Sequence, residues 1–275
     1  MSEQNWTVTS PQTIDVDGVT SLKLGMVRGR FDVVTHQEPV ARIEITEVHG
    51  DPVAVSISNG RLEVRHQLHG AQGWFKNLMG AVSHNSENSA VISIAVPENV
   101  DVEAGIVSGD GLVSGVTGNT RLNTVSGSVM ANGTGGELHV NTVSGEVAAR
   151  NHAGVLTAKS VSGEVTASGR FTHVRANTVS GHLSFDLQDF THDFGSNSVS
   201  GDLTVRLPHN VGVDIVAKSA SGAVVIDDQH YAQVGGKVET IAGPDGQLML
   251  VRTNSVSGKT SIFHSPTPGN AEAAN

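Results

Sequence analysis

The chain has 275 residues, of which 37% are apolar and only 4% aromatic, with 32 glycines and no cysteine. A formal net charge of −10 disfavours nonspecific nucleic-acid binding, which draws on clustered Lys and Arg. The lack of cysteine excludes a disulfide framework and thiolate chemistry. What remains suits an all-β chain with a thin core of Val, Leu, Ala and Thr.

The opening MSEQNWTVTS lacks the basic and apolar pattern of a leader, and no apolar stretch approaches the roughly 18 residues that span a bilayer. The expectation from these residues is a cytoplasmic protein without a transmembrane segment. Strands are predicted at Trp6–Val8, Ser21–Leu24, Arg30–Val34, Arg42–Glu47, Val53–Ile57 and Leu62–Arg65, punctuated by Gly, Asp and Pro. They lack a strict period, so residues 1–100 are expected to form an N-terminal β-rich cap over the exposed end of a repeat array.

Residues 67 to 88 break this pattern. Trp74, Phe75, Leu78 and Met79 have helix-like spacing, which predicts an apolar loop or short helix near 70–83. It either folds over the end of the array or forms an interaction surface. A strand then resumes from Ala90 to Val96 before Pro97.

From here one phrase dominates. It reads NTVSGSV from Asn123, NTVSGEV from Asn141, KSVSGEV from Lys159, NTVSGHL from Asn177, NSVSGDL from Asn197, KSASGAV from Lys218 and NSVSGKT from Asn254. A degenerate forerunner, GIVSGDG, starts at Gly105, and a decayed copy, ETIAGPD, at Glu239. The serines at 108, 126, 144, 162 and 180 keep a period of 18, then slip to 200, 221 and 257. Such self-similarity marks a stack of repeats, each burying its apolar face against its neighbours.

Within a unit apolar residues alternate, as in Leu138 and Val140, then Val147 and Ala149. The two pairs are out of phase, so the chain bends at Ser144-Gly145. Residues 101–264 are therefore predicted to form a β-solenoid whose rungs stack at about 4.8 Å. A hexapeptide helix would need apolar residues every six positions, and the match is partial, which favours a right-handed β-helix or an irregular solenoid. Residues 265–275 read as a disordered tail.

Stacking makes ladders of the Thr and Ser before each Val-Ser-Gly and of Asn123, Asn141, Asn177 and Asn197. The valines at the phase break face either inward or outward; if outward, they form an apolar stripe that marks an interface. The residues after each Ser-Gly would align Glu146, Glu164, His182 and Asp202 on successive turns. Such a column is either solvated or a site for a cation or basic partner. Asp186, Asp189 and Asp193 gather in the longest interruption, FDLQDFTHDF. Carboxylates there are what a carbohydrate-active lyase or hydrolase, or a glycan-binding module, would use. The thirteen histidines are scattered without metal-ligand spacing, and no metal or cofactor is expected.

The recurring TVSGEV phrase after the strand ending at Pro97, together with LPHNVGVDIVAKSASGAV (Leu207–Val224), resembles the bacterial putative-adhesin, β-strand-repeat family of unknown function over about residues 20–263. The resemblance implies a β-solenoid found in bacterial proteins, often in cell-envelope contexts, and carries no catalytic residues. The chain is thus expected to be a non-enzymatic scaffold or interaction protein. Its partner would be a protein or a glycan, with self-association as one outcome; the competing reading is the carbohydrate-active one.

Overall fold

A computed structural model of the chain describes residues 3–66, 88–231 and 236–266. Among them all regular structure is β-strand, in two compact units, Met1–Leu138 and His139–Asn275. The predicted segment around Trp74, Phe75, Leu78 and Met79, and the tail from 267, lie outside the described residues.

The first unit contains β1 (Gln4–Val8), β2 (Gln12–Asp17), β3 (Ser21–His36), β4 (Val40–His49), β5 (Val53–Ser58), β6 (Arg61–His66), β7 (Ser89–Pro97), β8 (Asp101–Ser114) and β9 (Thr120–Asn132). Strands β3, β8 and β9 run parallel, with Leu22 opposite Val102 and Val102 opposite Thr120. Their length has a local cause. Each passes through a glycine of one column, Gly29, Gly109 and Gly127, at φ of 108°, 143° and 99°, a region closed to most side chains. Ser21–Leu24 and Arg30–Val34, predicted as two strands, are therefore halves of β3.

Residues 21–25 of β3 pair with β6 and residues 29–36 with β7. Beyond these neighbours pairing becomes antiparallel, through β5 to β1 on one side and β4 to β2 on the other. Inward positions alternate as the pleat requires: Leu22, Leu24, Phe31, Val33, Ile43, Ile45, Val64 and Ile92 are all buried. Each contributes about 1.5–3 kcal/mol of burial free energy. Gly111 makes room for the largest of them, since a Cβ there would sit 2.2 Å from Cζ of Phe31.

Strand β10 (Gly135–Thr142) spans the division between the units. The second unit continues with β11 (Glu146–Ser160), β12 (Val165–Thr178), β13 (Leu183–Leu187), β14 (Asp193–Ser198), β15 (Leu203–Leu207), β16 (Val211–Ser219), β17 (Val224–Ile226), β18 (Gln229–Tyr231), β19 (Lys237–Ala242), β20 (Gln247–Ser255) and β21 (Thr260–His264). Equivalent repeat residues stack in parallel register. One row runs Val147, Val165, Leu183, Leu203, Thr260, Val224. Another runs Lys159, Asn177, Asn197, Asn254, Lys218.

These rows correct the simplest expectation, that repeats stack in chain order. The final repeat lies between the turns of Ser200 and Ser221: β20 pairs with β14 on one side and β16 on the other, and β21 with β15 and β17. The decayed copy ETIAGPD accounts for this. Its strand β19 runs antiparallel to β16, with Ile241 opposite Asp214, so it forms no rung and Ile241 leaves the valine row. Pro244 has no N–H to continue a ladder, and Gly243 and Gly246 take φ of 90° and 139°. The chain turns there and returns on the far side of β16. The inserted rung is held by a Ser255 to Ser219 hydroxyl bond of 2.9 Å and by the His264 ring. That ring lies with Nδ1 2.9 Å from an Asp227 carboxylate oxygen and Nε2 2.7 Å from the Val211 carbonyl.

Candidate functional site

The repeated phrase builds one corner of the second unit, and each residue type has a distinct task. The Thr or Ser before Val faces inward: Thr142, Ser160, Thr178 and Ser219 are buried. Their hydroxyls close the corner on the backbone of the glycine three residues on, with Thr142 Oγ1 donating to the Gly145 carbonyl at 2.8 Å and Ser160 Oγ to that of Gly163 at 2.6 Å. Thr178 Oγ1 instead accepts from the Gly181 N–H at 2.8 Å. The Ser after Val reaches the adjacent rung; Ser162 Oγ donates to the Val143 carbonyl at 3.1 Å and Ser180 Oγ to that of Val161 at 3.3 Å. The glycines allow rungs to approach. A Cβ on Gly163, Gly181, Gly201 or Gly222 would lie 2.0–2.1 Å from the glycine carbonyl oxygen of the neighbouring rung, closer than any packing permits.

With the hydroxyls turned in, the valines turn out. Val143, Val161, Val179, Val199 and Val256 are 40–55% exposed. Rung-to-rung bonds from Ser162, Ser180, Ser200, Ser257 and Ser221 to the preceding valine carbonyls place them in one row that ends at Ala220. Of the two orientations open from sequence, the outward one holds in this unit.

Glu146, Glu164, His182 and Asp202 line up beside that ridge on consecutive rungs, all exposed. The out-of-order rung adds an unforeseen member. Lys259, not Ala223, follows Asp202, whose carboxylate accepts the Lys259 N–H at 2.8 Å. The predicted loop carboxylates do not act as a set. Asp193 is bound to Arg252 at 2.9 Å, Asp189 accepts the backbone N–H of Phe190 at 2.8 Å, and Asp186 stands in register beside Arg206. Among the described residues no group of three or more His, Asp or Glu could hold a metal ion, and no helix is long and apolar enough to cross a membrane.

A polar face on the other side of the ridge was not anticipated as a unit. Outward positions of β12, β14 and β20 form a grid: His173, Arg175 and Asn177, then Asp193, Gly195 and Asn197, then Leu250, Arg252 and Asn254. Two members of the predicted asparagine ladder, Asn177 and Asn197, lie along its margin and Asn254 joins them out of chain order, with Asn197 donating to Asn177 at 2.8 Å and Asn254 to Asn197 at 2.9 Å; Lys159 stands beyond Asn177 and separates Asn141 from them. The signal of this face in sequence was the outward position two residues before each Asn, occupied by Arg175, Gly195 and Arg252.

Two solved structures share this architecture. A putative lipid binding protein from Parabacteroides distasonis matches with a TM-score of 0.53 and 13% identity, covering 94% of this chain and 97% of that one. A putative adhesin from Bacteroides fragilis matches with a TM-score of 0.52 and 13% identity, covering 93% and 97%. At that identity the likeness concerns the fold alone. Among curated proteins none matches the chain. The family model described as Toastrack DUF4097 matches residues 27–262, a span that takes in the bent strands of the first unit and the Ser-Gly corners of the second. The chain is a member of the Toastrack DUF4097 family, a family of unknown function.

Proposed function

We propose that the chain is a non-catalytic interaction scaffold: a right-handed β-solenoid, capped by its antiparallel end strands, that pairs with a second copy of itself through the valine ridge. The outward row of Val143, Val161, Val179, Val199 and Val256 carries this reading. Aliphatic side chains repeated at every rung on an exposed face mark an interface, and the inward hydroxyls gain their bonds whichever way the ridge is used.

The flanking column favours a second copy. A two-fold axis crossing the ridge between Val179 and Val199 sets Glu164 across from Lys259 of the second copy, and His182 across from Asp202 of the second copy. Both relations repeat by symmetry, as an isologous contact requires. The ridge is about 24 Å long at the interstrand spacing, which puts the contact in the small class under about 1,200 Å² and makes the pairing weak and transient. The carbohydrate-active alternative has less support, because Asp193 is paired with Arg252, Asp189 accepts the Phe190 N–H and Asp186 lies apart in register with Arg206, and the repeated serines bond to neighbouring carbonyls.

Sedimentation equilibrium over a concentration series tests the pairing. The full chain should show a monomer–dimer equilibrium that Val179→Asp with Val199→Asp abolishes. Glu164→Lys should weaken it, and adding Lys259→Glu should restore it. A chain monomeric at every concentration, or a dimer indifferent to the aspartates, would overturn the reading.

A further inference from the structure

Several glycines of the second unit answer to the backbone around them: Gly169 and Gly212 have a neighbouring carbonyl too near for a Cβ, and Gly154, Gly236, Gly243 and Gly246 take left-handed φ. Those of the corner column are sterically required, as their neighbours' carbonyls show. Gly195 is not. It lies inside β14 facing outward, its φ is outside the left-handed region, and an added Cβ would meet only the Val174 carbonyl oxygen at 3.9 Å, an ordinary contact. A strand-interior glycine without a structural reason weakens the strand and marks a place where another molecule comes close to the backbone.

What surrounds Gly195 defines that molecule's chemistry. Arg175 and Arg252 flank it on the adjacent rungs, so two guanidiniums border a gap one side chain wide. Arg252 is held by Asp193 at 2.9 Å, whereas Arg175 has no carboxylate partner among the described residues. At the gap itself Arg175 is the guanidinium left over, while Lys159 and Lys218 stand at the two ends of the asparagine row. Along one side runs the amide ladder; Asn197 and Asn254 each spend one N–H on the preceding Asn and keep the other for hydroxyl or carboxylate oxygens. On the other side His173 and His192 stack with centroids 5.7 Å apart at 14°, and Phe190 meets His192 edge-on at 5.1 Å, a run of ring surface beside the gap.

We propose that the Gly195 notch binds the carboxylate of an acidic saccharide: the sugar acid enters between Arg175 and Arg252, its hydroxyls meet the asparagine amides, and its ring lies against the His173–His192 stack. One unpaired guanidinium at the gap, with the other held by Asp193, suits a single carboxylate. A fork-shaped guanidinium free to present two N–H groups is matched to a carboxylate in geometry as well as charge. The site lies on the face beside the valine ridge and does not depend on self-association.

Isothermal titration of the full chain with oligogalacturonate, hyaluronan oligosaccharide and sialyllactose tests it, with cellohexaose and inorganic phosphate as comparators. At least one acidic probe should bind, and cellohexaose and phosphate should bind at least about tenfold more weakly, a difference a single charge-assisted contact supplies. Gly195→Val should abolish binding while leaving the melting temperature unchanged or raised, and Arg175→Gln should weaken binding about tenfold or more. Binding of none of the acidic probes, equal binding of cellohexaose or phosphate, or undiminished binding by Gly195→Val would overturn the proposal. A lower melting temperature for Gly195→Val would do so as well, since it would give the glycine a structural role.

Discussion

The two units solve the same corner differently. In the first, β3, β8 and β9 run through their glycines as continuous strands, with left-handed φ at Gly29, Gly109 and Gly127, and Val107 in the repeated phrase is buried. In the second, the strand stops at each Ser-Gly, Gly163, Gly181, Gly201 and Gly222 stay outside the left-handed region while Gly258 of the inserted rung takes φ of 133°, and the valines stand in solvent. Both columns share the near contact with a neighbouring carbonyl, 2.1 Å for a Cβ on Gly109, Gly127 or Gly181. The common demand for glycine is therefore close rung approach; left-handed φ is an added demand all along the first unit's column, and in the second it recurs at Gly258 of the out-of-order rung. Only the second arrangement exposes an apolar ridge.

The largest effects should separate these demands. Gly181→Ala forces a methyl into the Gly163 carbonyl and should cost about 1–3 kcal/mol, the range for overpacking. Gly127→Ala meets the same obstacle and adds left-handed strain of about 1–2 kcal/mol. Urea unfolding of each variant should thus show the first-unit substitution to be the more damaging. Equal costs would mean that the backbone angle contributes nothing and that the two corners differ in appearance alone.

This contrast also shows how far the residues themselves disclosed the fold. The period of 18 and the in-phase pairs were enough to place Val147 over Val165 and Asn177 beside Asn197, since stacking depends on local alternation and the corner. Order was not accessible: a copy at Asn254 resembles one at Asn197 wherever it lies, and only the reversal at Gly243–Gly246 inserts it before Lys218. The rung at Gly29 was hidden because its Ser is replaced by Arg28, leaving one glycine as the signal. The direction of the valines depended on whether Thr142 and its equivalents could satisfy a buried hydroxyl. That required the glycine carbonyl three residues on, which spacing cannot reveal. Gly195 is one glycine among 32, set apart only by the fold, which leaves room for a Cβ at an ordinary φ there.

A second difference concerns histidines at strand ends. His264 in the second unit is bracketed by the Asp227 carboxylate and the Val211 carbonyl. His66, at the end of β6 in the first, is buried, and burial holds its imidazole below the ordinary value, only partly offset by the Ser89 backbone and the charge of Asp51. A depressed folded-state value means that the unfolded chain binds the proton more readily. Stability of the first unit should therefore be fully present above the ordinary imidazole range near about 6.5, and should fall as the pH drops through it. His66→Phe should flatten that dependence in denaturation midpoints measured from neutral to mildly acidic pH. An unchanged slope would remove His66 as its source.

The smallest effect lies in the column after the Ser-Gly step, where the units again diverge. In the first unit it runs Arg30, Asp110, Ser128, opposite charges side by side; in the second it begins Glu146, Glu164, like charges on adjacent rungs. Cross-strand like charges destabilise and opposite ones stabilise by a few tenths of a kcal/mol up to about 1 kcal/mol, and exposure moves both toward the lower end. Glu146→Gln with Glu164→Gln should thus leave the melting temperature unchanged or slightly raised, whereas Asp110→Asn should lower it slightly. Both shifts should shrink as salt screens the column. A marked loss of stability for the glutamine pair would show that the two carboxylates hold something between them, and the second unit's column would then be a site instead of a solvated margin of the ridge.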